Sequence, residues 1–183
     1  MRLLLASLVL LLSTLPATAA PDDWRGKVQQ QLPLMGHRNW IVIVDSAYPL
    51  STAPGVETVE TNMDLPSVLH DVLGAVQGSR HVRPVVFLDA ELPFVPESDA
   101  PGVTKYRSQL KTTLASLPIQ SVLHEKMIHD LNQAATDFHV LVLKTTLTIP
   151  YTSVFLRLDC GYWSDASEKK MRDAMRKPST SAH

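Results

Sequence analysis

Met35-Gly36-His37-Arg38-Asn39-Trp40-Ile41-Val42-Ile43-Val44-Asp45-Ser46-Ala47-Tyr48-Pro49 decides the fold class. Its centre, Ile41 to Val44, is short, continuous and wholly β-branched. A run of this kind suits a strand buried on both faces, the usual state of strands in a parallel sheet covered by helices. His37 stands just before the run, and Asp45 stands where the chain leaves it. Carboxyl ends of parallel strands are where α/β proteins commonly place ligands. From the residues alone, His37 and Asp45 read either as ligand-handling groups or as a loop histidine and an aspartate capping the next turn.

Three further runs match the first: Val85 to Leu88, Val140 to Leu143, and Val154 to Leu156. Helical patterns lie between them. Leu65, Val68, Leu69, Val72, Leu73 and Val76 repeat at i, i+3, i+4 and i+7, with Asp64 placed to cap and Pro66 in the first turn. Tyr106, Leu110, Leu114 and Leu117 mark another helix, and others are expected near 24–31 and 125–135. The order α-β-α-β-α-α-β-β predicts one compact α/β domain over 20–163. It should hold a largely parallel sheet of four or more strands covered by helices. Residues 46–63 and 91–102 read as long loops, and 164–183 as a charged tail that frays.

The first 19 residues read as a secretory signal peptide. Arg2 supplies the basic end, Leu3 to Leu12 the apolar segment, and Ala17-Thr18-Ala19 a small-x-small cleavage site. The expectation is an exported protein, periplasmic or secreted, with no membrane span in its mature form. The chain carries 17 basic and 18 acidic side chains, a balance that gives no footprint for nucleic acid. Cys160 is its single cysteine, so neither an intramolecular disulfide nor a multi-thiolate zinc site can form.

Two blocks resemble the D-ribose pyranase/L-fucose mutarotase family. The first is an apolar helix, Met35-Gly36-His37, a strand, Asp45 and a following proline, with the family's eight-residue step from histidine to aspartate. The second is Pro150-Tyr151-Thr152-Ser153 and the apolar strand after it, similar to the family's Pro-Tyr-x-Asn. His129 lies 22 residues before Tyr151, as the second histidine does in the pyranase branch. The chain departs from the pattern at Asn39, where the family often has aspartate, and at Ser153, where it usually has asparagine.

The resemblance implies a sugar mutarotase or pyranase with His37, Asp45 and His129 as catalytic residues, and Tyr151 and Ser153 binding the sugar. It implies no cofactor and no metal. It also implies a homo-oligomer, commonly a decamer, with sites near subunit boundaries. Such chemistry moves protons on and off the anomeric hydroxyl and the ring oxygen, work suited to a side chain titrating near neutrality. Asn39 and Ser153 motivate a rival expectation, a non-catalytic binder of a saccharide or related polyol; a second rival is an assembly protein that keeps the oligomeric fold alone. His124-Glu125-Lys126-Met127-Ile128-His129 is one residue too long for the zinc-protease H-E-x-x-H. Five helical steps place its two histidines about 140° apart.

Overall fold

The computed structural model describes residues 23–176, so the signal-peptide reading falls outside the described residues. The elements are α1 (Trp24–Gln31), β1 (Trp40–Val44), β2 (Val56–Glu60), α2 (Leu65–Gln77), β3 (Val82–Asp89), α3 (Val103–Thr113), β4 (Ile119–Val122), α4 (His124–Asp137), β5 (Val140–Lys144), β6 (Val154–Cys160) and α5 (Asp165–Met175). One six-stranded sheet runs in the order β2-β5-β1-β6-β3-β4. β6 is antiparallel to both of its neighbours, β1 and β3. The pairings β1–β5, β2–β5 and β3–β4 are parallel. The expected α/β sheet is therefore present and mostly parallel.

Alternation along the central strands builds two cores. Ile41, Ile43, Leu141, Leu143, Leu156 and Leu158 pack with α1, α2 and α3 on one face. Trp40, Val42, Val44, Val140, Val142 and Phe155 pack with Met127, Leu131 and Ala135 of α4 on the other. This two-sided burial explains why β1 and β5 read as unbroken apolar runs.

Local chemistry sets the helix starts. Asp23 accepts the Gly26 N–H at 2.8 Å, and Asp64 accepts the Ser67 N–H at 3.0 Å. The N-cap of α4 is Leu123, which has no group to offer, so Glu91 serves instead. Both of its carboxylate oxygens lie 3.1 Å from the His124 nitrogen. A carboxylate also complements the positive end of the helix dipole there. Glu97 caps α3 in the same way, and the Gly102 and Thr104 N–H groups pull its carboxyl down to about 2.

Two elements, β2 and α5, lie where the sequence suggests irregular chain, and a third, β4, falls between two expected helices. β2 occupies part of the 46–63 stretch, and β4 precedes α4; both are edge strands without a continuous apolar run. The charged tail carries α5, capped by Ser164 and laced by Lys169–Asp173 and Glu168–Arg172 pairs, yet it buries none of its residues.

The 46–63 stretch is docked tightly at Gly55. A side chain there would collide with the carbonyl oxygens of Ala135 and Phe138 at the end of α4. Gly55→Ala is expected to cost about 1–3 kcal/mol through forced backbone shifts. A lowered urea midpoint with unchanged slope would show this.

Candidate functional site

The carboxyl ends of the parallel strands and the start of β6 meet at one end of the sheet. There a cavity of about 470 Å³ opens between Asp45, Tyr48, His124, Ile149, Pro150 and Tyr151. Asp45 follows β1 directly, and its carboxylate accepts the Ala47 N–H at 2.8 Å, which turns the chain sharply. Lys144, at the end of β5, donates to the Tyr48 carbonyl at 3.0 Å and pins the same loop. On the far wall, the Thr152 hydroxyl donates to the Ile149 carbonyl at 2.7 Å. The buried Tyr106 hydroxyl of α3 donates to the Thr152 carbonyl at 2.5 Å.

Tyr151 stands on this braced turn with φ +57°, a left-handed conformation that an aromatic residue rarely adopts. It is 40% exposed, so its ring is open to a ligand. His124 meets it edge-on, with ring centroids 5.5 Å apart and planes at 87°.

Behind His124 lies Asp89, the last residue of β3. Its side chain is fully buried, and Oδ2 lies 3.2 Å from His124 Nδ1. Oδ1 is buried without a partner. Burial pushes the Asp89 carboxyl up to about 6, against the lowering effect of His124 and with further raising by Glu91 and Asp45. Burial, then the Asp89 and Asp45 charges, push the Tyr48 phenol up to about 12. Tyr48 therefore stays a neutral hydroxyl at physiological pH.

Of the residues expected from the sequence, the cavity gathers Asp45 and Tyr151. Ser153 is 1% exposed, and its hydroxyl has no hydrogen-bond partner. It follows the cavity residues Ile149 to Tyr151 and precedes Val154, which pairs with Leu88, but it does not line the cavity. His129 is an exposed residue of α4 and is not part of the wall.

His37 is at the other end of the sheet. β1 separates it from Asp45, and five strand residues span about 16 Å. One chain therefore cannot bring His37 and Asp45 to one sugar, contrary to the joint role expected from the resemblance. His37 is 58% exposed, with Nδ1 2.8 Å from Asp159 Oδ1, and Arg83 donates to Asp159 Oδ2 at 2.7 Å. Burial opposes ionisation of Asp159, but the Cys160 N–H, His37 and Arg83 together hold its carboxyl below the usual range.

His124 and the Asp89 behind it are the residues that the sequence does not single out as sugar-handling groups, whereas Tyr48 reads there as either a sugar-lining or a packing aromatic. The rule that singled out Asp45, an aspartate ending a buried strand, applies equally to Asp89. His124 was read only as half of a metal motif. Among the described residues, no group of three or more His, Cys, Asp or Glu is placed to hold a metal ion. Among them, too, no helix is long and apolar enough to cross a membrane. A second cavity, of about 410 Å³, lies between α1 and α2 beside Trp24, Arg25 and Asp71. The Arg25–Asp71 ion pair, at 2.6 Å, spans those two helices.

What the arrangement can do is limited and specific. One carboxylate, Asp45, and two tyrosines can hold hydroxyl-rich molecules, and an imidazole backed by the buried Asp89 can shuttle protons.

The family model described as "RbsD / FucU transport protein family" matches residues 26–160. Similar solved structures include Bacillus subtilis RbsD complexed with D-ribose, at 20% identity and a TM-score of 0.51, covering 73% of this chain and 91% of that one. FucU from Bifidobacterium longum is 15% identical with a TM-score of 0.50, covering 73% and 94%. The fucose mutarotase of Streptococcus pneumoniae, in complex with L-fucose, is 18% identical with a TM-score of 0.50, covering 78% and 97%. No curated protein sequence matches the chain.

Proposed function

Because the chain belongs to the RbsD / FucU transport protein family, we propose that it binds a monosaccharide in the Asp45–Tyr151 cavity and interconverts its ring forms or anomers. The observation that carries this reading is the convergence of Asp45, Tyr48, His124 and Tyr151 on one open cavity at the carboxyl end of the sheet. The ligands of the similar proteins, D-ribose and L-fucose, indicate the size and class of sugar.

Ring opening breaks the bond between the anomeric carbon and the ring oxygen. The anomeric hydroxyl gives up its proton, and the ring oxygen gains one. His124 takes the first proton as general base. Closure on either face of the carbonyl, or from a different hydroxyl, returns the protons in reverse. Asp45 accepts hydroxyl protons of the sugar. Tyr48, kept neutral, donates, and Tyr151 offers an aromatic face. No redox change is involved.

A second proton donor is needed at the ring oxygen, and His37 with its Asp159 partner suits that task. Since His37 lies across the sheet from the cavity, it can serve only the cavity of a neighbouring copy. We therefore propose a homo-oligomer, with a decamer as the expected size, in which His37 of one copy closes the site of the next. Export of the mature chain after cleavage near Ala19 is likewise proposed, and the intact mass of the secreted protein tests it.

The buried Ser153, where the family usually has asparagine, favours one alternative: a saccharide binder without turnover. Saturation-transfer NMR with ribose, fucose, galactose and glucose tests the binding step. Transfer to at least one sugar, weakened in Asp45→Asn and Tyr151→Ala, is expected. No transfer to any sugar at millimolar concentration from the folded protein would overturn the reading.

A further inference from the structure

Asp89 is a costly residue where it stands. Its carboxyl is removed from water, Oδ1 has no partner, and Oδ2 has His124 Nδ1 alone. Burying a carboxylate with so little compensation disfavours folding unless the group serves another purpose. The fold does not call for it. Glu91, not Asp89, caps α4. The β3–β4 pairing at Asp89 uses backbone alone, and an amide of the same shape would occupy the space.

Its geometry fits one task. A buried carboxylate on Nδ1 of a histidine whose ring lines a cavity fixes that ring's rotation and its tautomer. On the sugar-site reading given above, we propose that Asp89 is a positioning residue that keeps His124 in the Nδ1–H tautomer and leaves the Nε2 lone pair as the base facing the sugar.

The charged and titratable groups around Asp89 come from several packed elements: His124 at the start of α4, Glu91 in the turn after β3, Asp45 and Tyr48 in the loop after β1, and the buried Tyr106 of α3. Burial first, then one imidazole and two carboxylates, set its ionisation. With Asp89 titrating at about 6, the anion that orients His124 is present above that pH and lost below it. Turnover should fall as pH drops through about 6.

The test is long-range 1H–15N correlation of the imidazoles in the full mature protein at pH 7.5. The His124 signal, one of seven histidines, is assigned from its loss in His124→Gln. Wild type should show Nδ1 protonated and Nε2 bare. Asp89→Asn should move the population toward Nε2–H and lower kcat about 100-fold, with KM within about twofold, because Asp89 does not touch the sugar. A wild-type His124 in the Nε2–H form overturns the proposal without any variant. So does Asp89→Asn with wild-type kcat. If the expected tautomer shift occurs while wild type turns over no sugar, the positioning role stands and the sugar-site reading fails.

Discussion

Sugar-form exchange should fall by about 10²–10⁴-fold when His124 is replaced by alanine, the range that a positioned acid/base group typically contributes. His124 is the imidazole that lines the cavity, and it lies edge-on to Tyr151. Stability should change little. The cap on α4 uses the backbone N–H of residue 124, which alanine keeps, and the lost side chain is half-exposed. Asp89 loses its partner and takes up a proton more readily, so the melting temperature should move by only a few degrees. Exchange NMR beside a thermal melt checks both halves. An unchanged rate would return His124 to the role of a helix residue.

The second large effect concerns assembly. His37→Ala and His124→Ala should each be inactive alone, because the proposed site needs both residues. Within one chain they lie at opposite ends of the sheet, so a working site must draw them from two copies. In a ring assembled at random from equal amounts of the two variants, about one site in four receives both intact residues. Co-expression should therefore restore about a quarter of wild-type activity, a recovery that neither homo-oligomer shows. A mixture as inactive as its parents would rule out the shared site. A monomer by light scattering would do the same.

Asp89 also makes a stability prediction with a sign. Its folded-state carboxyl titrates at about 6, against an ordinary value of 3.8. A raised carboxyl binds its proton more tightly when folded. Its contribution is thus fully present below about pH 4 and lost as pH rises through about 6. Asparagine carries no such loss. Asp89→Asn should gain on wild type between pH 4 and pH 8, by about 1–2 kcal/mol once screening near the open cavity is discounted. Urea melts at the two pH values measure it. Greater stability with lower turnover is the pattern expected of a residue kept for function.

The sheet was legible where burial is two-sided. Ile41 to Val44 and Val140 to Leu143 are buried at every position, so they stand out as apolar runs. β2 and β4 were not legible, because edge strands face solvent. Val56-Glu57-Thr58-Val59-Glu60 is half-exposed along most of its length, and Ile119 to Ser121 are exposed. α5 buries nothing, so it has no apolar stripe to read. α2 was legible down to its cap because Asp64, Pro66 and six buried residues all specify the same helix.

At the site, Asp45 and Tyr151 were legible from position and from the resemblance. His129 stands out through its 22-residue spacing from Tyr151, which presumes a fixed length for the chain joining α4 to β5 and β6. In the folded chain it is His124, further back, that meets Tyr151. Asp89 was invisible for a different reason. One aspartate after an apolar run is common, and only the fold reveals that it is buried behind a histidine.

The most direct test is magnetisation-exchange NMR of ribose and fucose at pH 7, with and without catalytic amounts of the mature wild-type protein. Faster exchange between ring forms or anomers of at least one of them is expected, abolished by His124→Gln. Exchange at the buffer rate for both sugars, with a folded oligomeric protein, would contradict it.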